Sequence, residues 1–394
     1  MRIKAVLFLL SQCITLFGST LVQMAILWYV TLKTSSGAWV AAFSICSYLP
    51  QFIISFPAGV WADRFSKKAL IILADASIAL FTLILMLAFP HIGEESSLLA
   101  CILVVSVLRS LGAGIQTPAV NAAIPELVAG DKLMRYNGIN AAMQSAVQFA
   151  APAAAGAILT VSSLRSALLI DILTAGLGIG ILMCVPFCSG RTQCGKVSVL
   201  SDMREGIKYA FSDVFLGKLL IVYGLFIFLC VPGGFLAQLF VQRTFGGDYI
   251  YLTATELTGF LGMALGGVIL GAWGGFKSRV KTLLCGLTAF GMLSAAMGFS
   301  SGFPLYLSLM FIYGIALTAV QTSASTLIQE RSLPSMQGRM FGLLSSAYSG
   351  FLPIGMAVCG PLADAVPLKW IMIASGAALM LMAGVMSVAW KKSL

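Results

Sequence analysis

Apolar runs of about 20 residues, broken by short polar segments, recur from one end of the chain to the other. Each is long enough to cross a hydrocarbon core of about 30 Å as a helix. They fall near 6–30, 38–61, 69–90, 97–119, 138–161, 166–187, 218–241, 254–275, 281–300, 304–327, 340–362 and 368–390. Lipid offers no hydrogen-bond partner to an exposed backbone, so these runs must be helices. The residue-by-residue alternation of a membrane barrel strand is missing. The pattern therefore predicts an all-α membrane protein of twelve transmembrane helices.

The first run has no small-residue cleavage site behind it and is longer than the 7–15 residues of a signal peptide, so it is expected to stay as a helix. Only 10% of the 394 residues are charged and 59% are hydrophobic, against about 25% charged in soluble domains. Water is not the main solvent of this chain.

The net charge of +10 becomes informative once the cations are placed. With the N-terminus inside, Arg2, Lys4, Arg64, Lys67, Lys68, Lys132, Arg135, Arg191, Lys196, Arg204, Lys208, Lys218, Lys277, Arg279, Lys281, Arg331, Arg339, Lys391 and Lys392 are all cytoplasmic. Only Lys33, Arg165, Arg243 and Lys369 face outward, and Arg109 lies within a span. Cytoplasmic loops carry this excess, so both termini are expected inside. The charge reports topology and gives no reason to expect nucleic acid. The nine cysteines show no metal spacing or disulfide framework, and Cys188 and Cys194, which bracket a short loop, read as free thiols.

The longest polar stretch, about 188–217, mixes Arg191, Lys196, Asp202, Arg204, Glu205, Lys208 and Asp213. It divides the chain into a six-helix half over 1–188, a cytoplasmic loop over 189–217 and a second half over 218–394. The halves echo each other. Gly59-Val-Trp-Ala-Asp63-Arg64-Phe-Ser-Lys67-Lys68 ends span two, and Gly271-Ala-Trp-Gly-Gly-Phe-Lys277-Ser-Arg279 ends span eight. Gln116-Thr117, Glu126, Arg135 and Gly138 return as Gln321-Thr322, Glu330, Arg339 and Gly342 at nearly constant spacing. Parallel six-helix repeats build one large transporter class, with the substrate site at mid-membrane.

The turn after span two is too short to fold alone. Gly59 would let helices approach closely, Asp63 and Arg64 could face a helix end or a charge, and Lys67 and Lys68 could hold a carboxylate such as Glu126. Such a cluster can latch one state of a two-state protein, whereas plain topology would explain only the lysines. This string resembles the signature loop of the major facilitator superfamily between helices two and three. Arg109-Ser-Leu-Gly112-Ala-Gly114 in span four is similar to the Arg-x-x-Gly-x-Gly motif of its proton-coupled drug exporters. Thr117-Pro-Ala-Val-Asn-Ala-Ala-Ile-Pro-Glu126-Leu-Val and Gln23-Met-Ala resemble the macrolide-efflux and enterobactin-exporter branch. Two positions depart from the pattern. Span five has Ala151-Pro152-Ala-Ala-Ala-Gly156 where the exporters have Gly-Pro-x-x-Gly-Gly, and the second-half loop has Gly275 in place of the aspartate.

Arg109 stands out on physical grounds as well. It lies about 16 Å into span four, where an unpaired cation costs at least about 2.5–3.5 kcal/mol, so it needs a protein interior or watery cavity and a partner. Pairing between helices and a role in transport are both consistent with that. A carboxylate that is alternately hydrated and dehydrated can take up and release protons, as coupling to a proton gradient requires. Asp171 in span six, Glu256 in span eight and Asp75 in span three are the candidates for that work or for fixed ion pairs, with Asp171 the first expected partner of Arg109 and Glu256 the next. Gln23, Gln116, Gln321 and Tyr313 are the polar candidates for a substrate cavity wall. The glycines of spans six and eight read as packing surfaces, Pro152, Pro232 and Pro353 as helix kinks, and His91, the only histidine, as an unused loop residue.

The resemblance implies secondary active export of bulky amphipathic compounds, macrolide-like drugs included, by proton antiport and rocking of two halves in a bacterial inner membrane. A siderophore or metabolite exporter is the alternative. No Gly-x-x-x-x-Gly-Lys-[Ser/Thr] occurs, so ATP drive is not expected. An intramembrane enzyme lacks a second histidine, a metal cluster or a Ser-His pair. The expected partners are a small-molecule substrate, protons and the lipid bilayer, with the protein working as a monomer without a cofactor.

Overall fold

The computed structural model describes residues 2–128, 133–187, 199–333 and 336–390. Cys188, Cys194, Lys132, Arg191, Lys196, Lys391 and Lys392, together with the side chain of Arg135, lie outside the described residues.

The apolar runs are helices, longer by a turn at many ends than hydropathy alone places them: α1 (Arg2–Thr34), α2 (Gly37–Arg64), α3 (Lys67–Ala88), α4 (Glu95–Leu127), α5 (Leu133–Val161) and α6 (Leu164–Met183). After α7 (Val199–Ser212) come α8 (Val214–Cys230), α9 (Ala237–Thr244), α10 (Tyr249–Trp273), α11 (Arg279–Gly298), α12 (Phe303–Arg331), α13 (Gln337–Ala365) and α14 (Leu368–Ala389). Eleven of these are long and apolar enough to cross a membrane, and α8 with the helix bent against it makes up to twelve.

Local chemistry sets the boundaries. Ser66 caps α3 by accepting from the Ala69 N–H, and Asp213 caps α8 by accepting from the N–H groups of Phe215 (2.8 Å) and Leu216 (3.3 Å), which supplies acceptors for donors that a helix start leaves open. Gly274 ends α10 in the left-handed region (φ 75°), which a residue without Cβ adopts at no cost.

Two features differ from the sequence expectation. The central polar stretch contains α7, which meets α8 at 108° and carries exposed Ile207 and Phe211 beside charged positions. Span seven is two helices: α8 stops at Cys230, Val231–Leu236 turn, and α9 follows, because Pro232 cannot donate the hydrogen bond a continuing helix needs. Pro152 and Pro353 instead sit inside the unbroken α5 and α13.

The chain forms two compact units, Met1–Lys33 with Ala42–Val197, and Thr34–Ala41 with Ser198–Leu394. In the first, α3 lies against α4 and α6. Gly112 faces Ile78, where a Cβ would come within 2.7 Å of Cγ1, and Gly178 faces Thr15 and the Ser11 carbonyl of α1. In the second, α10 lies against α12 through Gly259, Gly262 and Gly266, with Gly314 coming from the other side. Small residues bring helix backbones close where no hydrophobic force drives association. The neighbouring Gly176, Gly180, Gly267 and Gly271 meet nothing within 4 Å, so one of three glycines in α6 and three of five in α10 form packing surfaces.

Candidate functional site

In the first unit α4 carries Arg109 to the interior, where it is 9% exposed, and α6 carries Asp171, which is 1% exposed. Arg109 Nη1 is ion-paired with Asp171 Oδ2 and also donates to Thr82 Oγ1 from α3. Thr82 Oγ1 lies 2.9 Å from both Asp171 Oδ2 and the Ile78 carbonyl and can donate to either. Ser19 of α1 donates to Asp171 Oδ1 at 3.5 Å. Four helices thus converge on one buried carboxylate. A single guanidinium nitrogen makes both contacts, so the side chain does not use its planar fork bidentately here.

Beside the pair is a cavity of about 60 Å³ whose wall includes Ser19, Gln23, Ser47, Gln51, Arg109 and Ser110. Its wall mixes hydroxyls, carboxamides and a cation with Ile26, Phe43, Ile78 and Ala113, and it is large enough to take water. Charge-assisted hydrogen bonds to the buried carboxylate hold α4 to α6.

Asp75, 3% exposed on α3, accepts from Gln116 Nε2 of α4 at 2.6 Å through Oδ1, while its Oδ2 is buried without a partner. Gln116 therefore serves Asp75 and, unlike Gln23, is not among the residues lining the cavity. Gln321 lies partly buried on α12, and Tyr313 is packed in the core with its ring 4.0 Å from that of Phe290 and its hydroxyl 3.7 Å from Cys230 Sγ. These two belong to the second unit, so the four cavity candidates do not form one wall within either unit.

At the end of α3, Lys67 is ion-paired with Glu126 of α4, over an apolar cluster of Phe8, Ile71, Ala123, Leu127 and Leu182. Lys68 donates to the carbonyls of Met183 and Val185 at 2.8 Å each, a cation at the negative end of α6. A Cβ on Gly59 would meet nothing within 4 Å inside the first unit. Arg64 is exposed. The side chain of Asp63 lies outside the described residues.

The second unit repeats the pair: Arg279 Nε lies 3.3 Å from Glu330 Oε1, the glutamate that echoes Glu126. Arg339 pairs with Glu205 of α7 at 3.0 Å. Glu256 of α10 accepts from Gln238 Nε2 of α9 at 2.7 Å.

Three residues that sequence reasoning passed over matter here. Thr82 binds both members of the buried pair, and a lone threonine in an apolar run gives no warning of that. Asp364, at the end of α13, accepts from Ser36 Oγ (2.7 Å), the Gly37 N–H (2.7 Å) and the Ala38 N–H (2.9 Å), and so caps α2 from another helix. Arg243 closes the same cluster at 2.7 Å from Asp364 and donates to the Ala363 carbonyl at 2.6 Å. Its place among the few outward cations was the available signal.

Known proteins resemble this chain along nearly its whole length. Macrolide efflux protein A of Streptococcus pyogenes is 28% identical over 370 residues, which is 93% of this chain and 90% of that one. The multidrug efflux pump Tap of Mycobacterium tuberculosis is 24% identical over 93% of this chain and 88% of its own length. A solved structure of a point mutant of the nucleoside transporter NupG superposes with a TM-score of 0.76 over 98% of both chains at 14% identity, a likeness of fold. The Major Facilitator Superfamily model matches residues 8–349, and with helical units that repeat a Lys/Arg–Glu pair, the chain belongs to the Major Facilitator Superfamily and is a membrane transporter rather than an enzyme.

Proposed function

We propose that this protein is a secondary active exporter of bulky amphipathic organic compounds, macrolide-like drugs among them, and that it exchanges them for protons. The observation that carries the reading is the buried Arg109–Asp171 pair beside a small cavity whose wall includes Ser19, Gln23, Gln51 and Arg109. A cation and a carboxylate in the interior of a membrane protein are costly to keep and mark ion or proton pathways. Ser19 and Arg109 line the cavity and both contact Asp171, which supports reading it as the place from which water reaches the pair. Relatives that are efflux proteins favour outward transport of drug-like molecules.

In this reading both termini are cytoplasmic in a bacterial inner membrane, the protein works as a monomer, and the two units rock against each other. The Lys67–Glu126 and Arg279–Glu330 pairs then lie on the cytoplasmic side, where they stabilise one state of the cycle. Asp75 is held by Gln116 and is a secondary proton candidate. The test is retention of a panel of macrolides, cationic dyes and siderophores in cells producing the protein, with and without an uncoupler. Lower macrolide retention that the uncoupler abolishes is expected. Efflux that survives full collapse of the proton gradient would overturn the coupling, and selective siderophore release would replace the drug assignment.

A further inference from the structure

The second unit holds a carboxyl group that the Arg109–Asp171 mechanism does not use. Glu256 sits on α10, within the span, and no cation pairs with it among the described residues. The cation of the neighbouring α9, Arg243, is committed to Asp364. What Glu256 has instead is a carboxamide: Gln238, 3% exposed, donates from Nε2 to Glu256 Oε2 at 2.7 Å. The other polar atom of that amide, Oε1, is buried without a partner. The hydroxyl of Tyr306, the titratable group that faces Glu256 from α12, is likewise buried without a partner, and the residue is 0% exposed. Tyr313, further along α12, is engaged with Cys230.

A carboxamide offers one donor edge and one acceptor edge on the same side. A carboxylate has acceptors only and can satisfy just the first; a carboxylic acid carries both and matches the amide edge to edge. The orphaned Gln238 Oε1 is the atom that a protonated Glu256 would reach. The same conclusion holds if the amide is turned over, because its oxygen would then lie against Glu256 Oε2 and again require a hydrogen between them.

We propose that Glu256 and Gln238 form a second proton-binding site, closed by a cyclic pair of hydrogen bonds. The proton, taken from water, sits on Glu256 Oε1 and is donated to Gln238 Oε1, while Gln238 Nε2 donates back to Glu256 Oε2. No other bond changes. The existence of this site does not depend on the export reading; its use in transport does, as a proton carried by the second unit separately from Asp171.

The test is infrared spectroscopy of the purified full-length protein in detergent at neutral pH, read as wild type minus Glu256→Gln. That substitution keeps the cyclic pairing, now amide to amide, so the variant folds. A positive band in the region of the protonated carboxylic C=O stretch, unchanged when sodium is replaced by potassium, is expected. Gln238→Met should keep the band and move it to higher wavenumber, since the acid carbonyl loses its donor. No band at neutral pH, a band that Gln238→Met leaves in place, or a carboxylate band that responds to sodium would each overturn the proposal. A band present in a protein whose efflux ignores the uncoupler would leave the site standing and sink the proton-exchange reading alone.

Discussion

If Arg109 and Asp171 hold each other as the geometry indicates, removing one should harm the protein more than removing both. Arg109→Ala strands an anion that is 1% exposed, with Thr82 at 2.9 Å and Ser19 at 3.5 Å as its remaining polar neighbours. Asp171→Asn strands a cation near mid-membrane. Breaking a buried pair from one side costs about 3–5 kcal/mol, and the cation alone costs at least about 2.5–3.5 kcal/mol in the bilayer interior. The double variant keeps neither charge and loses mainly hydrogen bonds and some packing, about 1–3 kcal/mol. The cycle should therefore show a coupling of at least about 3 kcal/mol, well beyond the few tenths expected of sites that do not interact. Equilibrium unfolding in mixed micelles measures it, provided that each variant inserts. Additive losses would refute the pairing. Arg109→Lys refines the point: because one guanidinium nitrogen makes both contacts, a lysine ammonium should keep stability to within about 1 kcal/mol, in line with the modest net worth of one hydrogen bond. It still changes the wall of the cavity. Its proton-driven flux should fall by tenfold or more while its stability holds, and equal loss of both would show that Arg109 serves structure alone.

Other outcomes follow from single contacts. Gly262→Ala would drive a methyl group into the Phe311 carbonyl and should destabilise the protein by about 1–3 kcal/mol, whereas Gly267→Ala, with nothing within 4 Å, should be neutral or slightly stabilising in the same unfolding assay. Lys67→Glu should slow transport about fivefold, the effect of roughly 1 kcal/mol on a two-state balance, and adding Glu126→Lys should recover it; no recovery would remove the ion pair from the cycle. Asp364→Ala should lose about 1–2 kcal/mol as a lost helix cap, with Asp364→Asn losing less than half of that because asparagine caps well. Equal losses from both would mean that the Arg243 ion pair, not the cap, is what matters.

The difference between what the sequence revealed and what it hid has a physical cause. Span number follows from bilayer thickness, a property of single segments, and was readable. Arg109, Asp171, Asp75 and Glu256 were readable as exceptions, since a charge in an apolar run announces itself. Asp171 is the expected acid partner of Arg109, with Glu256 next, and the structure pairs Arg109 with Asp171, 62 positions away. The neutral partners were not readable, because in a helix apolar on every face nothing marks which side turns inward. A soluble helix shows its buried face by contrast with a polar one; α3 and α6 do not, with Leu73 67% exposed and Leu177 62% exposed to what is lipid rather than water. Thr82 was hidden for that reason, and so was Gln238.

The opposite failure occurred outside the apolar runs. The stretch before span seven was read as loop because its charges outweigh its apolar residues, yet α7 forms there, with Tyr209 accepting from the Leu333 N–H at 3.1 Å and Glu205 reaching Arg339. Here polarity masked a helix that the spacing of Ile207 and Phe211 already permits, four residues apart and so on one face. The break at Val231 had a signal as well, Pro232 with Gly233 and Gly234 behind it. A proline alone did not decide the matter: Pro152 and Pro353 interrupt nothing. What separates them is the glycine pair, which packs close to the Tyr313 hydroxyl and Cys230. On the turn as it stands, a Cβ at Gly233 would come within 2.9 Å of Ser294 Oγ and 3.0 Å of the Tyr313 hydroxyl. Pro232 ends α8 where glycines follow it, and the close approach of α11 and α12 that those glycines permit is visible only in the folded unit.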